Sequence, residues 1–225
     1  MFEGNGSFIE RTREKMLGPR EIRFSNGSRM LASIIPEPTV TLQSAKGMHL
    51  DLKSFAPEGT VIQVDPKGRW GASGGTVTYP PLITMGKFKG VDAILDFLHE
   101  CGHLQDPVSE SNARHAEQYY MENFFAKDAN DHSSERMKAL LERNSAVIQA
   151  ERNAWAYSLK NTRKLEQQFG INIIEQMGGV SGVVDYVNVY LDNYEQRTIE
   201  TELEYLGLPT YTRHFVEETL KNTAA

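Results

Sequence analysis

The strongest constraint on the fold is a change in apolar period near residue 87. Before it, short alternating apolar runs are broken by turn residues; after it, the apolar spacing follows the 3.6-residue period of helices. Seven of the nine prolines and eleven of the eighteen glycines fall in residues 1–86, so that half is expected to be mostly sheet. Glu21-Ile22-Arg23-Phe24 runs into Asn26-Gly27, a pair that tolerates the positive φ of a tight turn, and Arg29 to Ile35 can return alongside as a hairpin. Further strands are expected at Val40 to Ser44, His49 to Lys53, Thr60 to Val64 and Gly75 to Tyr79. Pro80-Pro81 is expected to stop the last of these and mark it as an edge. Helices are expected at about 91–104, 111–126, 134–168, 181–206 and 211–222. The resulting expectation is an α+β chain, an N-terminal antiparallel or mixed sheet followed by a helical part. It reads as a single domain over 1–225: strands in 1–86, the site-bearing helices in 87–170, and appended helices in 171–225.

Composition narrows the partners. Lysine plus arginine number 24 against 30 aspartate plus glutamate, a net charge of -6 with no basic run, which argues against sequence-independent binding to nucleic acid. No stretch approaches the roughly 20 apolar residues of a membrane span. Cys101 is the single cysteine and has no internal disulfide partner, and Met1 to Gly18 holds no apolar run of signal-peptide length. A cytoplasmic protein is the expectation.

The chemistry is concentrated in His99-Glu100-Cys101-Gly102-His103. At about 100° per residue, His99 and His103 fall about 40° apart on one helical face, so both imidazoles can reach one ion. Glu100 lies about 60° from His103 and points beside it. Two neutral imidazoles suit Zn2+, and a glutamate just outside the ligand set can take a proton from an activated water and pass it on. In a chain of this composition chance yields about 0.015 such motifs, so coincidence is a poor explanation. Val91, Ile94, Leu95 and Leu98 place the motif on a helix against a core, and Gly102 keeps one side free of bulk. Cys101 lies about 200° from His99 and faces away from any ion, as a small buried residue.

A catalytic zinc commonly has three protein ligands and an open position. Glu151 sits at the centre of an apolar stripe formed by Met137, Leu140, Val147, Ile148, Ala154 and Trp155, all within about 60° of it. An ionised carboxylate there must be paired or bind a metal. Glu117 is the rival; it shares a face with Ala113, Tyr120, Met121 and Phe124. Alanine three residues after Glu151 favours Glu151, because a small side chain lets the two helices approach, whereas Glu117 has Tyr120 there. A third histidine is excluded, since the H-E-x-x-H-x-x-G-x-x-H pattern would need glycine and histidine where Asp106 and Ser109 stand. His49, His132 and His214 read as solvated or structural, and His115 as packing beside Tyr119 and Tyr120.

His99-Glu100-Cys101-Gly102-His103 followed by Glu151-Arg152-Asn153-Ala154-Trp155 resembles the zincin metallopeptidases of the gluzincin type, and locally the small ImmA/IrrE-like proteins, with H-E-x-G-H and a later E-x-x-A. The likeness covers two short motifs. It implies a zincin-like fold, a zinc ion held by His99, His103 and Glu151, and Glu100 as general base. It also implies a protein or peptide substrate that pairs with an edge strand, here Gly75 to Tyr79. Two departures stand out: the spacing between His103 and Glu151 holds an extra aromatic helix, and Trp155 replaces the acidic residue that some gluzincins place four after the glutamate.

Overall fold

A computed structural model describes residues 21–33, 38–65, 67–74, 79–88, 90–125 and 134–191. The observed architecture is α+β, with two small sheets preceding a helical region. The chain divides into two compact units, Met1–Glu110 with Asn153–Val183, and Ser111–Arg152 with Val184–Ala225.

In the first unit, β1 (Glu21–Arg23), β2 (Arg29–Ser33), β3 (Thr39–Gln43) and β4 (His49–Asp51) form an antiparallel sheet in sequence order. The expected hairpin is present. Gly27 takes a φ of 80°, Asn26 Oδ1 accepts from the Ser28 backbone N–H, and the turn closes between Phe24 and Ser28. Alternation puts Met30 and Ala32 on the buried face of β2, opposite Leu42 and Val40 of β3.

The second sheet has the order β5-β7-β6, where β5 is Val61–Val64, β6 is Gly71–Ser73 and β7 is Leu82–Met85. β5 runs parallel to β7 and β6 antiparallel to it. Here a strand not among those expected from sequence appears: Pro80-Pro81 leads directly into β7, the central strand. A proline at a strand's entrance removes no bond that the ladder requires, and Pro81 still offers its carbonyl, which accepts from the Val61 N–H at 2.8 Å. Of the strand expected at Gly75 to Tyr79, residues 75–78 lie outside the described residues, and Tyr79 stands in a bend, exposed.

Helix α1 (Asp92–Gln105) packs on β6, β7 and the 3-10 turn Leu52–Phe55. Every residue from Ala93 to Gly102 is buried, so the motif helix is enclosed along its whole middle. α2 (Pro107–Tyr120) continues as a π-helical turn, Met121–Phe125. It starts four residues before the expected point. Asp106 accepts from the Ser109 N–H at 3.0 Å as an N-cap, and Pro107 occupies the first helical position, where its missing N–H costs nothing.

α3 (Ser134–Phe169) matches its expected span closely and ends at Gly170, whose φ of 64° stops the helix. Asn26 of the hairpin donates to the carbonyls of Phe169 and Gly170, satisfying part of that helix end. α4 (Ile173–Gln176) is short, and residues 179–191 are helical again. The rest of the expected 181–206 helix, and the whole of 211–222, lie outside the described residues. Among the described residues no helix is long and apolar enough to cross a membrane. Within the second unit, Tyr120, Phe124 and Leu140 form a buried cluster, with the guanidinium of Arg136 over the Phe124 ring and that of Arg143 over Tyr120.

Candidate metal centre

The first two donors come from α1. His99 and His103 are one turn apart, and their Nε2 atoms stand 3.0 Å from each other. Two ligands at about 2.0–2.1 Å from a tetrahedral zinc would be roughly 3.3 Å apart, so the pair is already close to the spacing that an ion requires. Their rings cross almost perpendicularly, at 85°.

Glu151 of α3 supplies the third donor. One ligand atom from each of His99, His103 and Glu151 lies within 4.8 Å of the others, and among the described residues this is the one such group of three. His99 and Glu151 are buried and His103 is half-buried. Two imidazoles and a carboxylate are a donor set that suits a borderline divalent cation, and these three residues could hold a metal ion.

The helix contact behind this convergence depends on two small residues. Gly102 presents bare backbone to the backbone of Ala154, three residues beyond Glu151, and no side chain fits between them. Ser158, one turn further along α3, donates to the Leu95 carbonyl of α1 at 2.7 Å. The sequence expectation that glycine and alanine permit the approach is met at both positions.

Each histidine has a different support. Trp155 lays its ring against His99 at a centroid distance of 4.2 Å. His103 Nδ1 faces Glu110 Oε1 at 2.7 Å. Sequence reasoning missed Glu110. The Asp106-Pro107 start places it in the first turns of α2, and its partner is seen only once the helix break at Asp106 is placed in space. Asn153, two residues after Glu151, donates from Nδ2 to Asp106 Oδ2 at 2.7 Å and to Ser109 Oγ at 2.8 Å. The Ser109 N–H and hydroxyl, with Asn153 assisting, hold the Asp106 carboxyl below the usual carboxylate range.

Glu117 is not part of the group. It is ion-paired with Arg143 inside the second unit. Glu100 is buried on α1 beside the two histidines in sequence. Cys101 is fully buried as expected, and burial, reinforced by the charge of Glu100, pushes its thiol far above the ordinary range, which disfavours the thiolate form. His49 stands exposed on β4 within hydrogen-bond distance of Gln43, in keeping with its expected place on a strand face. His115 is exposed on α2 instead of packed, because the 3.6-residue period turns it to the outer face. His132 and His214 lie outside the described residues.

No family model matches the chain, and no curated protein or solved structure matches it either.

Proposed function

We propose that the chain is a zinc-dependent peptidase in which His99, His103 and Glu151 hold the ion and Glu100 is the general base. The observation that carries this reading is the convergence of a third, buried carboxylate on the two histidines of an H-E-x-x-H helix. Zinc, when bound, supplies Lewis acidity that polarises an amide carbonyl and acidifies water.

The remaining chemistry belongs to side chains of α1 and α3. His99, His103 and Glu151 bind as one anionic and two neutral donors, which leaves a single positive charge at the centre to draw an electron-rich carbonyl oxygen. Glu100 follows His99 on the same helical turn and is not one of the three donors. It accepts a proton from the attacking water as the new C–O bond forms, then delivers that proton to the amide nitrogen as the C–N bond breaks. Burial of Glu100 limits competing bulk water around the proton it moves. A protein or peptide substrate in extended form adds to the second sheet at β6. This docking is supported by β6 being, among the described residues, an edge strand that packs directly against α1.

Glu100→Gln tests the reading, because it keeps shape and metal ligands while removing the base. Wild-type protein is expected to generate new peptide termini in a lysate in a chelator-sensitive way, and the variant to do so at least about a hundredfold more slowly. Equal termini and equal biological output from both forms would replace the peptidase with a zinc-containing recognition module.

A further inference from the structure

We infer that Glu110 is the positioning residue that fixes the tautomer of His103 and so prepares its Nε2 for the metal, a role that rests on the zinc reading above. The geometry begins with the carboxylate. An ionised glutamate only accepts hydrogen bonds, so the 2.7 Å contact between Glu110 Oε1 and His103 Nδ1 places a proton on Nδ1. In a neutral imidazole that leaves the lone pair on Nε2, the atom that faces His99 Nε2 at 3.0 Å and belongs to the three-residue group. The carboxylate also makes the imidazole a stronger donor, as outer partners of metal-binding histidines do.

The sequence position of this carboxylate is unusual for the arrangement that the motifs resemble. The position four after Glu151 holds Trp155, which packs on His99 and cannot accept a proton. The orienting carboxylate instead enters from the start of α2. Its placement there is built, not incidental. Asp106 caps α2 through the Ser109 N–H, Pro107 sets the first turn, and Asn153 ties Asp106 and Ser109 to α3 two residues beyond Glu151. The helix that brings the third ligand thus also anchors the turn that carries the orienting carboxylate. Ligand placement and histidine orientation are joined through Asn153.

The test compares wild type, Glu110→Gln and Glu110→Ala, read by zinc titration against a competing chelator and by nitrogen-15 NMR of His103 in metal-free protein. Glu110→Ala is expected to lose roughly ten- to a hundredfold in zinc affinity while its circular dichroism stays that of wild type. Glu110→Gln is expected to recover part of the loss, since its amide oxygen still accepts from Nδ1. In metal-free wild type His103 is expected to carry its proton on Nδ1, and in Glu110→Ala to shift toward the Nε2–H form. A folded Glu110→Ala protein with wild-type zinc affinity and an unchanged tautomer would overturn the role. Should neither variant fold, the wild-type spectrum decides, and an Nε2–H tautomer there overturns it. Failure of wild type to take up zinc would sink the peptidase reading, while the His103 tautomer in the same protein would still report separately on whether Glu110 orients the ring.

Discussion

Gly102 of α1 meets Ala154 of α3 so closely that a Cβ built on the glycine would stand 2.7 Å from the alanine Cα and 2.7 Å from its carbonyl oxygen. Real Cβ atoms do not approach backbone that closely, so a side chain at residue 102 would push α1 and α3 apart. The two helices carry all three candidate ligands, and this contact lies three residues beyond Glu151 and one before His103.

The sign of one substitution tests this contact. In an open helix interior, glycine to alanine stabilises by roughly 0.5–1 kcal/mol through helix propensity. Gly102→Ala is expected to do the opposite, destabilising by about 1–3 kcal/mol from overpacking, and to weaken zinc binding. Urea denaturation gives the sign. A more stable variant would mean that α1 and α3 are not in backbone contact.

Glu151→Gln and Glu117→Gln separate the two carboxylates that compete on sequence grounds. Glu151→Gln trades a charged oxygen donor in the cluster for a neutral one and should lower zinc affinity strongly. Glu117→Gln breaks a partly exposed pair with Arg143, so its expected cost is within about 1 kcal/mol of stability, with zinc affinity unchanged. A chelator competition that ranked them in reverse would transfer the third ligand to Glu117.

Asp106 predicts a pH dependence of stability. Its folded carboxyl lies below its unfolded value, chiefly through hydrogen bonds from Ser109. A depressed carboxyl adds stability that is fully present above the unfolded value and is lost as the pH falls through the folded one. Asp106→Ala should therefore cost about 1 kcal/mol near neutral pH, the usual loss for an N-cap. That difference should hold down to the ordinary carboxylate range, about pH 4, and shrink below it. Chemical denaturation of both forms across roughly pH 2–7 checks this, and a difference that vanished already at about pH 6 would contradict the assignment.

Local sequence carries some parts of this molecule better than others. The Asn26-Gly27 hairpin, the span of α1 and the ends of α3 are written in short-range signals: a turn glycine at positive φ, a buried apolar run and a closing glycine. The same range suffices for His99, His103 and Glu151, because a helix fixes angular position from sequence spacing and a charged residue in an apolar stripe is conspicuous. The central place of β7 is not legible in this way, since it depends on parallel pairing between Val61–Val64 and Leu82–Met85, distant in sequence, which no local pattern records. Glu110 escapes for a related reason. Nothing in its neighbourhood of α2 marks it, and its partner becomes visible only across the helix break at Asp106.

Zinc content of the purified, unchelated protein bears on the central claim most directly, since the proposed hydrolysis requires one ion held by His99, His103 and Glu151. Elemental analysis is expected to find about one zinc per chain, lost on chelation and restored by titration with zinc alone. Protein that holds no transition metal and takes up none on titration would contradict it.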